Sequence, residues 1–417
     1  MPKITKITAL EILDSRGNPT VKATVTLDDG ISGSASVPSG ASTGSYEALE
    51  LRDKDTRYNG TGVLEACKNI NKKISKILVG LNVSDQIKID ETLIKLDGTE
   101  NKSSLGANAM LAVSLACARA AAKSENLELY EYIAKTFKFK KPCQIPTAFF
   151  NVLNGGVHSD SGLSIQEFQI IPREFKNFSE KLQAASEIFH KLKGLLANAG
   201  YPIGVGDEGG FAPKLEDNTA AFEYLEKAIE ETGYNFSGTV SIGIDAAASN
   251  FYDPDQQSYT LKPENTSLEA ERLIALYQEW KKKYKLFSIE DGLREDDFPS
   301  WKKLNKKMGN NTLVIGDDLL VTNVNRLKKA LSFSAVNAAI AKPNQIGTLT
   351  ETIEFIKKCQ KNKIKIVVSH RSGETEDNFI ADLAVAAGAE FVKFGAPCRG
   401  ERTAKYNRLL EIENELK

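Results

Sequence analysis

This 417-residue chain lacks an excess of charge of either sign, and it lacks long apolar runs. Lys and Arg number 54 against 55 Asp and Glu, so no net field would recruit nucleic acid or an anionic membrane surface. The N-terminal segment has no long hydrophobic stretch and no small-residue cleavage site. We therefore expect neither a signal peptide nor insertion into a membrane.

Cysteine is also scarce, and its spacing is uninformative for metal binding. The five cysteines are dispersed and form no Cys-x-x-Cys pair. An odd, scattered set argues against a disulfide framework and against a cysteine-based zinc site. The pattern therefore indicates reduced thiols, which are typical of a cytoplasmic protein.

What is present predicts two domains, because the chain is too long for one ordinary core. Residues 3–37 alternate apolar and polar positions around two turn signals, which predicts a three-stranded antiparallel meander. Helical periodicity follows over residues 62–136. We expect an α+β N-terminal domain over residues 1–138 and a second domain over residues 139–417.

The second domain shows a different pattern, in which helical segments separate short β-rich runs from the third run onward. The predicted strands are Phe149–Leu153, Phe168–Pro172, Val240–Asp245, Leu286–Glu290, Leu313–Asp317, Val336–Lys342, Ile364–His370 and Phe391–Phe394. Eight such strands predict a closed α/β barrel of the TIM type. The first two lie too close for a crossover helix and should pair antiparallel. A helix over Leu268–Tyr284 should open with a capping box of Thr266 and Glu269.

Polar residues stand where these strands end, at the barrel face that carries catalysis in TIM barrels. They are Asp245, Glu290, Asp317, Lys342, His370 and Lys393, and Glu167 joins them at the start of the antiparallel second strand. Three converging carboxylates need a counter-ion, and a hard divalent cation, above all Mg²⁺, is the natural solution. The alternative is that each Asp or Glu caps a helix. Lys342 could be a general base or an ion-pair partner of these carboxylates.

Two glycine-rich loops need separate interpretation. Gly204–Gly209 matches the spacing of a dinucleotide fingerprint, but no clear strand precedes it and Pro213 follows where a helix should begin. It is better explained as a loop presenting Asp207 and Glu208 to the site. The loop Ser39–Gly44 is predicted to be either a mobile lid or a plain surface loop. Arg371 and Ser372, directly after His370, suit the capture of a phosphate.

Twelve segments, in order along nearly the whole chain, resemble those of a known family. They are DSRGNPT at 14–20, SGASTG at 39–44, ELRD at 50–53, LGANAMLAVSLA at 105–116, NGG at 154–156 followed by His158, QEF at 166–168, GDEGGFAP at 206–213, SIED at 288–291, GDDLLVTN at 316–323, NQIGTLTE at 344–351, SHRSGETED at 369–377 and GAPCRGER at 395–402. The set resembles the enolase family, and SHRSGETED comes near a family signature by itself. The resemblance implies a ββαα(βα)6 barrel and the dehydration of 2-phosphoglycerate to phosphoenolpyruvate in glycolysis and gluconeogenesis.

The resemblance also implies the roles of individual residues. Asp245, Glu290 and Asp317 would hold a first Mg²⁺, and Ser42 in the lid would help to bind a second. Lys342 would be the base and Glu208 the acid, with Glu167 beside it. Residues implied to bind the phosphorylated substrate or line its pocket are His158, Gln166, His370, Arg371, Ser372 and Lys393. A homodimer or higher homo-oligomer is implied as well.

Several positions depart from the family pattern without removing an implied site residue. Pro343 follows Lys342, Phe394 follows Lys393, and Asn250 stands where Glu is usual. Two alternatives therefore stay open: a non-catalytic paralogue kept as a binding or scaffold protein, and another acid dehydratase of the same superfamily. An assay for phosphoenolpyruvate and a panel of phosphate-free hydroxy acids would separate them.

Overall fold

The structure is a computed structural model that describes residues 2–41, 44–139 and 144–417. The strands are β1 (Ile4–Leu13), β2 (Pro19–Leu27), β3 (Ser32–Ser36), β4 (Thr147–Asn154), β5 (Glu167–Pro172), β6 (Val240–Asp245), β7 (Tyr252–Asp253), β8 (Ser258–Leu261), β9 (Thr266–Leu268), β10 (Ser288–Glu290), β11 (Leu313–Gly316), β12 (Ala338–Ala341), β13 (Lys365–Ser369) and β14 (Phe391–Lys393).

The helices alternate with these strands in the second half of the chain. They are α1 (Leu64–Lys68), α2 (Ser75–Leu78), α3 (Gln86–Asp97), α4 (Ala107–Ser124), α5 (Leu129–Thr136), α6 (Phe178–Asn198), α7 (Asn218–Glu231), α8 (Ala270–Tyr284), α9 (Phe298–Met308), α10 (Val324–Phe333), α11 (Pro343–Ile346), α12 (Leu349–Lys361), α13 (Phe379–Ala387) and α14 (Gly400–Glu415). A π-helical turn, Asn69–Ile74, joins α1 to α2. Among the described residues, no helix is both long and apolar enough to cross a bilayer.

The N-terminal domain is the predicted antiparallel meander, with strand order β1-β2-β3 and helices against one face. Its centre is α4, an alanine-rich helix that is buried on nearly every side. A Cβ atom at Gly33 of β3 would lie 2.3 Å from the backbone nitrogen of Ala120, so glycine is what allows α4 to lie so close to the sheet. The prediction of an α+β domain is confirmed.

The second domain is the predicted barrel, closed in the order β4-β5-β6-β10-β11-β12-β13-β14. β5 runs antiparallel to both β4 and β6, and the other neighbours are parallel. The register pairs Glu167 with Asp245, so the start of β5 lies beside the end of β6 as expected. The barrel interior is filled by apolar side chains of Phe149, Ile171, Leu313, Ile315, Ala338, Ile340, Val367 and Phe391. It is therefore a packed core below a polar mouth.

One local prediction was wrong. Thr266 does not cap α8, because Thr266–Leu268 forms β9 and pairs antiparallel with Leu261 and its neighbours in β8. The helix begins at Ala270, with Glu269 as its N-cap residue and no side-chain capping hydrogen bond. Cross-strand pairing thus outweighed a local capping signal.

The two domains meet through buried and partly buried polar contacts. Asp377 of the barrel domain accepts hydrogen bonds from Arg119 at 2.6 and 2.8 Å and from the backbone nitrogen of Ser36 at 2.9 Å. Asp90 of α3 accepts from the backbone nitrogen of Thr350 at 2.9 Å, at the start of α12. These contacts hold the N-terminal domain over the barrel mouth.

Candidate active site

Lys393, at the end of β14, is the hub of the carboxylates at the mouth. Its ammonium lies 3.1 Å from Glu167, 3.1 Å from Asp245 and 2.8 Å from Glu290. Burial alone would lower the pKa of Lys393, but the surrounding carboxylates, Asp245 foremost, raise it well above its usual value. Lys393 is therefore a fixed positive charge in the site.

Asp317 and Lys342 form the second ion pair, with the Lys342 ammonium donating to the Asp317 carboxylate. Burial is the largest influence on Lys342 and opposes its charge, but the carboxylates around it, Asp317 foremost and Glu290 as well, together hold the pKa of Lys342 above its usual value. Gln345 donates to the other oxygen of Asp317 at 2.8 Å. Of the two interpretations of Lys342, the ion-pair partner is the one seen in this structure.

Asp291 and Asp318 extend this side of the site. Asp291 accepts hydrogen bonds from the backbone nitrogens of Asp317 at 2.9 Å and Asp318 at 2.7 Å, and so holds the turn after β11. Carboxylate oxygens of these three residues lie within 4.8 Å of one another. Burial and then Asp317 raise the pKa of Asp318 to about 8. Neither Asp291 nor Asp318 was singled out from the sequence, although each directly follows a predicted ligand.

Glu167, Glu208 and His370 form a second cluster whose polar atoms lie within 4.8 Å of one another. Asn151 donates to Glu208 at 2.9 Å, and Gln169 donates to Glu167 at 2.9 Å. Glu208 and Glu167 are 3 % and 1 % exposed. The Gly204–Gly209 loop thus delivers Glu208 to the site, as predicted, whereas Asp207 contributes a backbone carbonyl that accepts from Arg402.

Arg371 has a partner that the sequence did not indicate. Its guanidinium pairs in a bidentate manner with Glu47, at 2.8 and 3.1 Å, and donates to Asn344 at 3.1 Å. Glu47 also accepts from the backbone nitrogen of Gly44, at the base of the predicted lid. The hydroxyl of Ser372 accepts from the backbone nitrogen of Ala41 at 2.8 Å. The predicted phosphate residues therefore contact the segment that carries the lid.

Three further predicted residues complete the comparison with the sequence. Gln166 donates to Asp245 at 3.4 Å and accepts from Asn250 at 3.4 Å. Ser42 lies outside the described residues, and so does the side chain of His158. The pocket itself is lined by Gln166, Glu167, Glu208, Asp245, Asp317, Lys342, His370, Arg371, Ser372 and Lys393.

The donor set suits a hard divalent cation. Five carboxyl groups (Glu167, Glu208, Asp245, Glu290 and Asp317) face the ammonium groups of Lys342 and Lys393, an excess of three negative charges when all are ionised. Burial and then Asp245 raise the pKa of Glu290 well above its usual value. Oε2 of Glu290 is buried and has no hydrogen-bond partner within the described part of the chain. A cation such as Mg²⁺ would satisfy both the charge and this oxygen.

Comparisons with known proteins cover the whole of this architecture. The model "Enolase, N-terminal domain" matches residues 4–133, and "Enolase, C-terminal TIM barrel domain" matches residues 142–417. The chain belongs to the enolase family. An "Enolase" of Nitratiruptor sp. is 51% identical over 416 residues, covering 100% of this chain and 97% of that protein. An "Enolase" of Wolinella succinogenes is 48% identical over 413 residues (99% and 97%), and an "Enolase 2" of Pseudomonas syringae pv. syringae is 51% identical over 416 residues (99% and 96%).

As a member of the enolase family the protein is an enzyme of the hydro-lyase class, and membership implies the use of a divalent metal. Two of its departures from the family pattern are accommodated by the local structure. Pro343 is the first residue of α11, where a missing backbone donor costs nothing, and Lys342 is the N-cap. Phe394 is buried, with its ring centroid 5.7 Å from that of Tyr406.

Proposed function

We propose that this enolase-family protein catalyses the reversible dehydration of 2-phosphoglycerate to phosphoenolpyruvate in glycolysis and gluconeogenesis, with two Mg²⁺ ions per active site. The observation that carries the proposal is the convergence of Lys342, Glu208 and Glu167 in one pocket whose other carboxylates suit a divalent cation. The names of the curated relatives point to the same activity.

In this proposal Lys342 is the base. The proton to be removed lies α to a carboxylate and is barely acidic, and its loss creates an aci-carboxylate dianion. Only a neutral lysine can accept that proton, so the ion pair between Lys342 and Asp317 has to be broken before the reaction.

Asp245, Glu290 and Asp317 would hold the first metal ion, and Ser42 would contribute to the second. Enolase-superfamily enzymes are themselves the established example of a Lys or His base working with one or two Mg²⁺ ions, whose charge stabilises the ene-diolate. Lys393 adds a fixed ammonium on the same side of the pocket, where it can stabilise the developing negative charge.

Glu208 would be the acid for the second half of the reaction. Hydroxide is a poor leaving group, so Glu208 must carry a proton to donate. Glu167 lies within 4.8 Å and is itself held by Lys393, so repulsion between the two carboxylates favours a proton on one of them. The buried amide of Asn151 orients Glu208.

Arg371 and Ser372 would hold the phosphate of the substrate. In this structure Glu47 occupies one edge of the Arg371 guanidinium with two hydrogen bonds. A phosphate offers the same bidentate geometry with more charge, so it can displace the Glu47 carboxylate.

The decisive experiment measures phosphoenolpyruvate formation from 2-phosphoglycerate by its absorbance, with Mg²⁺, with a chelator, and after Mg²⁺ is restored. Turnover that disappears with the chelator and returns with Mg²⁺ is expected. A folded preparation that turns over nothing under any divalent cation would contradict the proposal and favour a non-catalytic paralogue. Turnover of phosphate-free hydroxy acids instead would favour another superfamily dehydratase.

We also propose a homodimeric or higher homo-oligomeric, cytoplasmic protein with no nucleic-acid partner and a domain boundary at residues 138/139. The boundary is supported by the gap between the two family matches, 4–133 and 142–417. The near-neutral charge balance supports the absence of a nucleic-acid partner. Light scattering at micromolar concentration would test the oligomeric state, and a mass equal to one chain would contradict it.

A further inference from the structure

Arg402, in α14, is fully buried beside the active site, and none of the roles above uses it. Its two terminal nitrogens carry four hydrogens, and the structure supplies four acceptors. Nη1 lies 2.7 Å from Nδ1 of His370 and donates to the carbonyl of Arg371 at 2.6 Å. Nη2 donates to the carbonyls of Asp207 at 3.0 Å and Ser372 at 2.5 Å.

This contact decides the tautomer of His370. A guanidinium has only donors and stays protonated, so Nδ1 of His370 has to be the acceptor and carries no hydrogen. The neutral ring then has its hydrogen on Nε2. A doubly protonated ring would point an N–H at the guanidinium, which places donor against donor and charge against charge.

Charged groups around His370 agree with a neutral ring. Burial lowers the pKa of His370 well below its usual value; Glu208 opposes this, and Arg402, Lys393 and Lys342 add to it. His370 is 2 % exposed, so water cannot compensate for a charge on the ring.

Nε2 of His370 faces the pocket. It lies 3.5 Å from Oε1 of Glu208 and has no hydrogen-bond partner in the part of the chain that the structure describes. A buried N–H donor without a partner is costly, and one that lines a substrate pocket is ready for a ligand oxygen. The nearest acid, Glu208, is the group proposed to protonate the leaving hydroxyl.

We propose that Arg402 is a positioning residue that holds His370 as the neutral Nε2–H tautomer, which donates a hydrogen bond to the leaving hydroxyl oxygen beside Glu208. The second half of this statement rests on the proposed dehydration. A hydrogen bond from His370 and a proton from Glu208 would then meet at one oxygen, and the His370 hydrogen bond would strengthen as negative charge develops there.

Arg402 also has a purely structural role, and the test has to distinguish this role from its proposed effect on the His370 tautomer. Its guanidinium links the Asp207 carbonyl of the Glu208 loop to the Arg371 and Ser372 carbonyls after β13. Loss of activity in an Arg402 variant would therefore prove nothing by itself. The readout has to be the protonation of His370.

The wild-type protein supplies that readout, because only three histidines contribute to its spectrum. Selective ¹⁵N-histidine labelling and long-range ¹H–¹⁵N correlation report which ring nitrogen carries hydrogen, and His370→Gln assigns the signal. We expect Nε2–H with a bare Nδ1 from about pH 5 to about pH 8, the range in which histidine ordinarily titrates. An Nδ1–H tautomer, or titration within that range, would overturn the proposal without any variant of Arg402.

Two variants and one control then test the cause. Arg402→Met removes the donor, so we expect a mixed tautomer or a titrating His370 and a fall in kcat of about a hundredfold. Arg402→Lys keeps a donor-only cation and should restore the tautomer and part of kcat. Arg408→Met is the matched control. Arg408 lies in the same helix and pairs with Asp382 at 2.9 Å, so its loss should leave the His370 signal unchanged.

The outcomes keep this inference distinct from the proposed function. A lost kcat with an unchanged His370 signal in Arg402→Met would mean that Arg402 acts only as a structural link, and the proposal would be abandoned. The tautomer measurement needs no substrate, so it stands if 2-phosphoglycerate is not turned over. In that case the donor role toward the leaving hydroxyl falls together with the dehydration.

Discussion

Asp90 at the domain interface and Glu290 at the barrel mouth are both fully buried carboxyl groups, but their surroundings differ. Asp90 accepts hydrogen bonds from Gln86 at 3.1 Å and from the backbone and hydroxyl of Thr350 at 2.9 and 2.6 Å. Glu290 has one ammonium at 2.8 Å, several like charges, and an oxygen without a hydrogen-bond partner among the described residues. The protein itself supplies hydrogen-bond donors to the Asp90 carboxylate. The Glu290 carboxylate keeps an oxygen that is available to a ligand such as a metal ion.

Burial raises the pKa of both groups, so burial alone does not distinguish a structural acid from a functional one. The distinction lies in the partners. At the interface, donors from two domains meet on one carboxylate, which stabilises their packing. At the mouth, carboxylates meet one another, which costs stability unless a cation binds.

The largest expected effect is on the mouth side, at the proposed base. Lys342→Ala should lower kcat by roughly a hundred- to ten-thousandfold or more, because it removes the proposed acceptor of the proton α to the carboxylate. The matched control is Lys102→Ala, which removes a buried lysine paired with Glu351 at 2.7 Å at the interface. It should lower stability and leave kcat near wild type. Steady-state kinetics on folded variants decides the matter, and retained activity in Lys342→Ala would refute the assignment.

The next effect separates the two carboxyl groups directly. Mg²⁺ at about a hundred times its dissociation constant should raise the free energy of unfolding of the wild-type protein by about 2.7 kcal/mol. Glu290→Gln should abolish most of this gain, because a neutral amide binds Mg²⁺ more weakly than a carboxylate does. Asp90→Asn should keep it. Thermal unfolding with and without Mg²⁺ measures all three proteins, and equal gains would erase the proposed difference between the sites.

A third effect concerns pH at the interface. Burial raises the pKa of Asp90 to about 6, despite opposing hydrogen bonds. The folded value exceeds the unfolded value of about 3.9, so proton binding stabilises the folded state at low pH, and this contribution is lost as pH rises through about 6. It amounts to up to about 3 kcal/mol.

Asp90→Asn has no such proton to bind. Between about pH 4 and pH 7 its free energy of unfolding should therefore fall less than that of the wild-type protein. Urea denaturation at several pH values gives the difference in the free energy of unfolding between the two proteins. The contributions of the other buried acids are common to both and cancel in this difference. If the free energies of unfolding of the two proteins changed in parallel with pH, the pKa of Asp90 would not differ between the folded and unfolded states.

The smallest effect is expected at Asn250, a departure from the family pattern that contacts Gln166 of the pocket. Its amide contacts Gln166 only at 3.4 Å. Asn250→Ala should change KM for 2-phosphoglycerate by no more than about twofold, equivalent to about 0.4 kcal/mol. A tenfold change would show that this amide matters more to Gln166 than its distance indicates.

Much of this site could be predicted because a closed barrel brings the ends of successive strands together in a ring. Polar residues at the ends of successive strands, from Asp245 to Lys393, had to meet once the strands closed. The antiparallel pairing of β4 and β5, which brings Glu167 to the same face, followed from the small number of residues between these two strands in the sequence. The capping box at Thr266 failed because its signal was local and the pairing of β8 with β9 was not.

Other features had no signal within the sequence. Glu47 and Arg402 reach the site from segments far along the chain, and nothing beside them indicates that Arg371 or His370 will be the partner. The state of Lys342 was also open, since a base and an ion-pair partner have the same spacing from Asp317.

The sequence by itself determined the two domains, the order of the strands and the ring of carboxylates and lysines at their ends, because these follow from periodicity and from rules of connection between neighbouring elements. The tertiary structure alone decided which charge pairs with which, that Lys342 lies on Asp317, that Glu47 covers Arg371, and which nitrogen of His370 bears the hydrogen. Those pairings depend on distances of a few ångströms between groups far apart in the chain. Burial makes such distances count, because a charge or a hydrogen-bond donor removed from water has to find its partner within the protein.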